Sequence, residues 1–468
     1  MIRLSKQRFI FAVKIGLLVA LLIGLIFGCV TVSTRVNYYS TVLTDLQTAN
    51  FSAAVSKIDQ AKLNQQYGQK ERLLFYLDKG IIQYYNSEHE ASIDNLETAD
   101  RYMEELFTRS ISQAALSYLL DDNIIDYYGE VYENLYLNIF KALNFINMNR
   151  FEDAYVEINR VNDKLKELEV KYGSYIDNLN QSEDSKIKID AKSFNFSSSV
   201  LAHYLSYIVY RADRDPDYSR ISHEKMVQAW QAHPDVYNFA QPECIQSPPK
   251  VSGQFLNVIA FTGTAPYKKA VGAKITTYDD AIGISALEAP VALPNIPFPG
   301  SKEGYHFKFA FPVIRNNPSN VDRIDVLING RKTGQLELLE DMGNVAVKTF
   351  ETRRNIIYLK TVVRTVLKGL ASAEAKKKLK KEVKADKFWG AILDAAVDIG
   401  VDATENADLR SWRTMPQKCY VGEFDITSGQ HDIEVHFYNK NNLLVQKKTF
   451  SNFSAGNNLN LIDMVSLN

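Results

Sequence analysis

The sequence predicts an α+β chain, with an all-helical repeat scaffold first and a mostly antiparallel β domain, carrying a helical insertion, after it. Three observations predict this. From Asn37 to about Gln241, apolar residues recur at three- and four-residue spacing with very few prolines. Pro242, Pro248 and Pro249 then punctuate the chain. Beyond them the period changes to two: Tyr305, Phe307, Phe309 and Phe311 share one strand face, with His306 and Lys308 on the other.

The N-terminal elements come first. Residues 1–28 read as a lipoprotein-type signal peptide: Arg3, Lys6, Arg8 and Lys14 form a basic leader, and Ile15 to Gly28 is an uninterrupted apolar run. Gly28-Cys29 closes it in the manner of a bacterial lipobox, although Phe27 is bulkier than the residue usual at that place. On this reading Cys29 is lipidated and residues 29–36 are the tether. The other reading is an uncleaved signal anchor, since Ile15 to Val32 offers 18 uncharged residues. Both place the rest of the chain outside the inner membrane. Val30, not Asp, follows the cysteine, so lipoprotein sorting points to the outer membrane, facing the periplasm.

Residues 37–241 carry a recurring frame. Ala142, Ala154, Ile158 and Val161 are spaced by 12, 4 and 3 residues, with Phe145 at the aromatic place of the first helix. Tetratricopeptide (TPR) repeats use this spacing to put small residues where paired helices cross. The frame recurs as Gly80, Ser92, Leu96 and Ala99, and as Val42, Ala54, Ile58 and Ala61. A fourth copy runs through Ser222, Met226 and Ala229 to Pro234. The helical half is therefore expected to be a TPR-like scaffold, with a polar loop over 182–199.

Residues 242–252 read as a linker and 253–468 as the β-rich domain. Arg323 to Asn329, before Gly330, reads as a strand and turn, and Ile433, Val435 and Phe437 alternate with Asp432, Glu434 and His436. The helical insertion, about 356–404, joins a lysine stripe from Lys376 to Lys387 to an apolar face through Phe388, Trp389 and Ile392. Such a stretch can lie on anionic lipid; the commoner use is a solvated helix packed on its own domain.

Composition narrows the function classes. With 46% hydrophobic and 11% aromatic residues the chain can bury sizeable cores. Subtracting the four leader bases from 54 Lys and Arg leaves 50 against 55 acids, which excludes the basic footprint of a nucleic-acid binder. Cys244 and Cys419 either pair or stand as isolated thiols. The seven histidines are scattered, and no HExxH, Cys-x-x-Cys, phosphate loop or dinucleotide fingerprint occurs. Gly283-Ile284-Ser285 lacks the second glycine of a nucleophile elbow. No catalytic residue, metal or cofactor is expected. Asp408, Arg410, Trp412 and Arg413 form the densest remaining motif, either a charge-assisted recognition site or a structural corner with Trp412 buried and Asp408 paired to Arg410.

Several stretches carry a family resemblance: Tyr128-Gly129-Glu130 with Glu133, Lys141-Ala142-Leu143-Asn144, Asp153-Ala154 with Val156-Glu157-Ile158-Asn159-Arg160, and Ala407-Asp408-Leu409-Arg410 leading to Trp412 and Pro416. With Cys29, the chain resembles bacterial tetratricopeptide-containing lipoproteins of undetermined function. The resemblance implies a helical scaffold held at the envelope, accompanied by other small lipoproteins, and no catalytic residues. The expected function is a lipid-anchored scaffold whose helical groove binds a protein partner or peptide, its oligomeric state left open. Its rivals are an enzyme of cell-wall metabolism with an unfamiliar site in the β domain, and a structural component of a surface polymer.

Overall fold

The computed structural model describes residues 33–112, 125–180, 196–250, 253–286, 296–297, 303–304, 306–351 and 407–468. The leader, Cys29, residues 30–32 and the expected insertion with its lysine stripe lie outside the described residues. Helices occupy the N-terminal half and sheets the C-terminal half, the expected α+β arrangement. The chain divides into two compact units, one ending at Gln66 and the other starting at Tyr67.

The first unit contains α1 (Ser33–Gln47) and α2 (Phe51–Leu63). Val42 and Leu46 on α1 are buried, as are Ala54, Ile58 and Ala61 on α2. Lys57 reaches back across the pair to Asp45 (2.5 Å).

The second unit opens with three more hairpins: α3 (Arg72–Tyr85) with α4 (His89–Ser112), α5 (Val131–Asn147) with α6 (Phe151–Asn180), and α7 (Val200–Ala212) with α8 (Pro216–Ala232). All four connectors have one geometry. Two residues past each first helix stands a left-handed residue: Ala49, Ser87, Asn149 and Arg214, with φ between 57° and 60°. Its N–H donates three residues back, to the carbonyl of Leu46, Tyr84, Ile146 or Arg211. The next N–H donates five back, from Asn50, Glu88, Arg150 and Asp215 to Asp45, Gln83, Phe145 and Tyr210. This is the Schellman arrangement, which satisfies helix-end carbonyls and reverses the chain. A fixed connector places one residue of each second helix opposite the residue 12 before it: Ala54, Ser92, Ala154 and Ser219. Ser92 Oγ donates to the Gly80 carbonyl (2.7 Å), and Ser219 Oγ to the Tyr207 carbonyl (3.2 Å). The fourth frame therefore runs Tyr207, Ser219, His223, Met226, three residues earlier than the expected Ser222, Met226, Ala229. The connector at Arg214 sets that register, which the spacing of apolar residues alone does not carry.

The expected linker contains a one-turn helix, α9 (Glu243–Gln246). Among the described residues twelve strands follow: β1 (Phe255–Thr262), β2 (Tyr267–Tyr278), β3 (Ala281–Ala286), β4 (Ile296–Pro297), β5 (His306–Arg315), β6 (Arg323–Ile328), β7 (Arg331–Gln335), β8 (Glu337–Asp341), β9 (Lys418–Asp425), β10 (Gly429–Tyr438), β11 (Leu444–Ala455) and β12 (Asn460–Ser466). They form three four-stranded sheets, ordered β12-β1-β9-β8, β11-β10-β6-β7 and β4-β3-β2-β5. Every pairing is antiparallel except β1 with β12. Asn329 (φ 51°) and Gly330 (φ 75°) make the two-residue turn between β6 and β7, where positive φ at both places suits an Asn-Gly pair. The first two sheets pack face to face through Leu256, Val258, Ile324, Val326, Phe424, Ile433, Val435 and Phe437. The alternation read in β10 is thus the wall of a sandwich core.

Candidate functional site

The sheet β12-β1-β9-β8 is buried on both faces. Leu256, Val258 and Ala260 of β1 enter the sandwich core, whereas Phe261 lies against Phe140 of α5, with ring centroids 5.2 Å apart. A near-continuous apolar strand, Phe255 to Thr262, is what a two-sided setting requires. The first helices of the three hairpins supply the opposing layer. α5 shows why: Val131 to Ile146 is buried at every position but Asn134. The functional candidates gather in this helix–sheet seam, where buried and partly buried acids meet tyrosines and backbone N–H groups.

Glu133, on the first turn of α5, has no exposed surface. Each of its oxygens takes one backbone N–H and one phenol. Oε1 accepts from Trp412 N (2.7 Å) and Tyr132 OH (3.3 Å). Oε2 accepts from Glu130 N (2.9 Å) and Tyr127 OH (2.7 Å). Burial, with the Glu130 charge adding to it, pushes the Glu133 carboxyl up to about 7, against the pull of these donors. Glu130 is itself paired with buried Lys268 of β2 (2.5 Å). Lys268 stays above the ordinary lysine value because Glu130 and Asp408 outweigh its burial. Beside it Asp408 holds Arg410 through both carboxylate oxygens (2.9 Å each), and Arg410 also donates to the Ile125 carbonyl (3.0 Å). Burial works to raise Asp408, yet Arg410 and Lys268 keep it below the usual carboxylate value.

Three further acids repeat the pattern. Glu340 of β8 accepts from Tyr136 OH (2.7 Å), Tyr237 OH (2.8 Å), Ser199 Oγ (3.1 Å) and Leu201 N (3.2 Å). It therefore sits at the N-terminus of α7, where free N–H groups and the helix dipole favour an anion. Burial still raises it. Asp463 of β12 is bonded by Tyr84 OH and by Asn147 Nδ2, the latter at 3.1 Å, and burial raises it too. Asp78 of α3 accepts from Tyr67 OH (2.8 Å) and Thr414 Oγ1 (2.7 Å). Buried carboxylates carry a large desolvation cost. Here neutral donors offset it, at least one of them for each acid coming from the opposite layer, so each acid works as a rivet between layers.

Gly80, Ser92, Leu96, Ala99, Ala142, Ala154, Ile158 and Val161 are buried, and Phe145 carries the Arg150 guanidinium 4.7 Å above its ring. A Cβ on Gly80 would stand 2.7 Å from Leu96 Cγ, so a close helix crossing requires glycine there. Of the motif after the insertion, Asp408 and Arg410 pair, and Trp412 is fully buried against Phe140 (6.3 Å). Arg413 is half-buried. The corner reading of the motif matches this geometry, with one addition: the indole pins the β layer to the helices. Tyr128-Gly129-Glu130 with Glu133 and Asp408 to Trp412 are far apart in sequence and meet here. Cys244 and Cys419 stand as free thiols, both pushed up by burial.

Sequence reasoning missed Glu340 and Asp463. Each sits in a short strand with no motif around it, and nothing local marks its partners. Among the described residues, no group of three or more His, Cys, Asp or Glu could hold a metal ion, and no helix is long and apolar enough to cross a membrane. Comparison with known protein families, with curated proteins and with solved structures yields no match.

Proposed function

We propose that this chain is a lipid-anchored binding or scaffold protein of the bacterial cell envelope, built on TPR-like helix pairs and working without catalysis. The observation that carries the reading is how the buried acids are used. Glu133 and Glu340 each receive four hydrogen bonds from their own chain. A carboxylate serving as general acid or base must instead present an oxygen to a substrate. The apolar leader ending at Gly28-Cys29 and the repeated hairpins support the anchor and the scaffold.

The groove expected of such a scaffold is modified in this reading. The first helices of the hairpins, which would line it, hold the chain's own sheet through Phe140, Tyr136, Tyr84 and Arg211. Partners are then received on the second helices and the outer strands. An anchor raises the effective concentration of partners on the same leaflet, with the outer membrane as the expected place. Cys29→Ser should abolish incorporation of labelled fatty acid and leave unprocessed precursor. Normal labelling of that variant would remove the lipoprotein assignment. Site-specific crosslinkers on α6, α8 and the outer strands should capture envelope proteins from intact cells, and no capture at any of these positions would refute the scaffold reading.

A further inference from the structure

Tyr155 of α6, Tyr210 of α7 and Tyr218 of α8 form one continuous stack across three helices. Their ring centroids are 4.1 Å and 5.2 Å apart, with interplanar angles of 21° and 24°. The inner faces are used on each other, whereas Tyr218 is 56% exposed and offers its outer face to solvent. The Tyr155 hydroxyl is shut from solvent and has no hydrogen-bond partner among the described residues. Val156, next to it, is 57% exposed. An aromatic ladder of this kind on a helical surface exceeds what packing α7 on α8 demands.

The surroundings are acidic. Residues 213–217 hold Asp213, Asp215 and Asp217 against the single base Arg214, and Glu152 stands on α6. The carboxylates of Asp213, Asp215 and Glu152 act on both Tyr155 and Tyr210, raising their phenols after burial has done so. Asp215 Oδ1 accepts from Tyr218 N (3.1 Å), which fixes one carboxylate beside the exposed ring. That bond caps α8, and Asp217 and Glu152 suit the first turns of α8 and α6, but neither role needs Asp213. Of the neighbouring bases, Arg211 is engaged with Glu423 (2.8 Å) and Arg220 with Glu224 (2.5 Å), which leaves Arg214 as the one base set against four acids.

We propose that this tyrosine stack and its acidic connector form the docking site for an arginine-bearing segment of a protein partner. Guanidinium is the side-chain group that both lies flat on an aromatic face and meets carboxylates through paired N–H donors. An ammonium is more strongly hydrated and stacks poorly. A neutral sugar could cover Tyr218 but would leave the excess negative charge unanswered. The inference rests on the binding role proposed above and names the chemistry of the partner.

The test uses the full chain in detergent and a labelled hexapeptide alternating Gly and Arg, read by fluorescence anisotropy. Tyr218→Ala should weaken binding about three- to tenfold, as loss of a cation–π contact implies. Asp213→Asn should weaken it and flatten its salt dependence. A peptide with citrulline in place of arginine should not bind. Binding that is absent in the wild type, unchanged in Tyr218→Ala, or equal for citrulline would overturn the proposal, as would a neutral oligosaccharide competing the peptide away. Envelope partners still crosslinked to α8 by Tyr218→Ala at wild-type yield would overturn this site while leaving the scaffold role standing.

Discussion

Replacing Glu133 by Gln keeps the side-chain volume and removes one titration from the helix–sheet seam. The folded protein holds the Glu133 carboxyl at about 7, against an ordinary 4.5, chiefly because the group is buried. A raised acid binds its proton more tightly in the folded state. Its contribution is therefore fully present below about 4.5 and is lost as pH rises to about 7, after which it is constant. The gap of two to three pH units corresponds to about 3 kcal/mol. Gln imposes a separate, pH-independent cost. Either end of its amide must place NH2 against a backbone N–H, that of Trp412 or that of Glu130. One buried donor left without its acceptor costs about 1–3 kcal/mol. Denaturant unfolding of both proteins between pH 4.5 and 8.5 separates the two effects. The offset shifts the whole Gln curve, whereas the charge changes the gap between curves. Relative to the wild type, Glu133→Gln should gain about 3 kcal/mol across the window. Groups common to both proteins cancel in that difference. Parallel curves would refute the claim that burial dominates this carboxyl.

Other expectations follow from single contacts. Trp412→Ala should cost about 3–5 kcal/mol, and because the indole lies against Phe140, amide exchange protection should fall in α5 as well as in β9. Protection lost from the strands alone would restore the expectation of a β corner independent of the helices. Gly80→Ala meets Leu96 Cγ at 2.7 Å and should lower the unfolding free energy by about 1–3 kcal/mol despite the better helix propensity of Ala; a stabilised variant would show that the crossing is looser than the structure has it. Ser87→Gly relieves a left-handed residue at φ 60° and should stabilise by up to about 1 kcal/mol. An unchanged midpoint would mean the connector carries no strain.

The helical half, the change of period at the prolines and the alternation of β10 were readable along the chain. Each depends on side chains a few residues apart, so local spacing records it. The spacing of 12 is local for the same reason: a short fixed turn between two helices brings Ser92 to Gly80 and Ser219 to Tyr207. The fourth hairpin escaped that logic because its connector, not its apolar spacing, carries the register. The seam was not readable. Tyr84 lies 379 residues from Asp463, Trp412 lies 279 from Glu133, and Tyr136 lies 204 from Glu340. Periodicity can say that α5 has an apolar face to bury; it cannot say that the rest of the helix is covered as well, or by what. Whether a buried acid is a reactive group or a rivet depends on donors brought from the opposite layer, and only the folded chain brings them there.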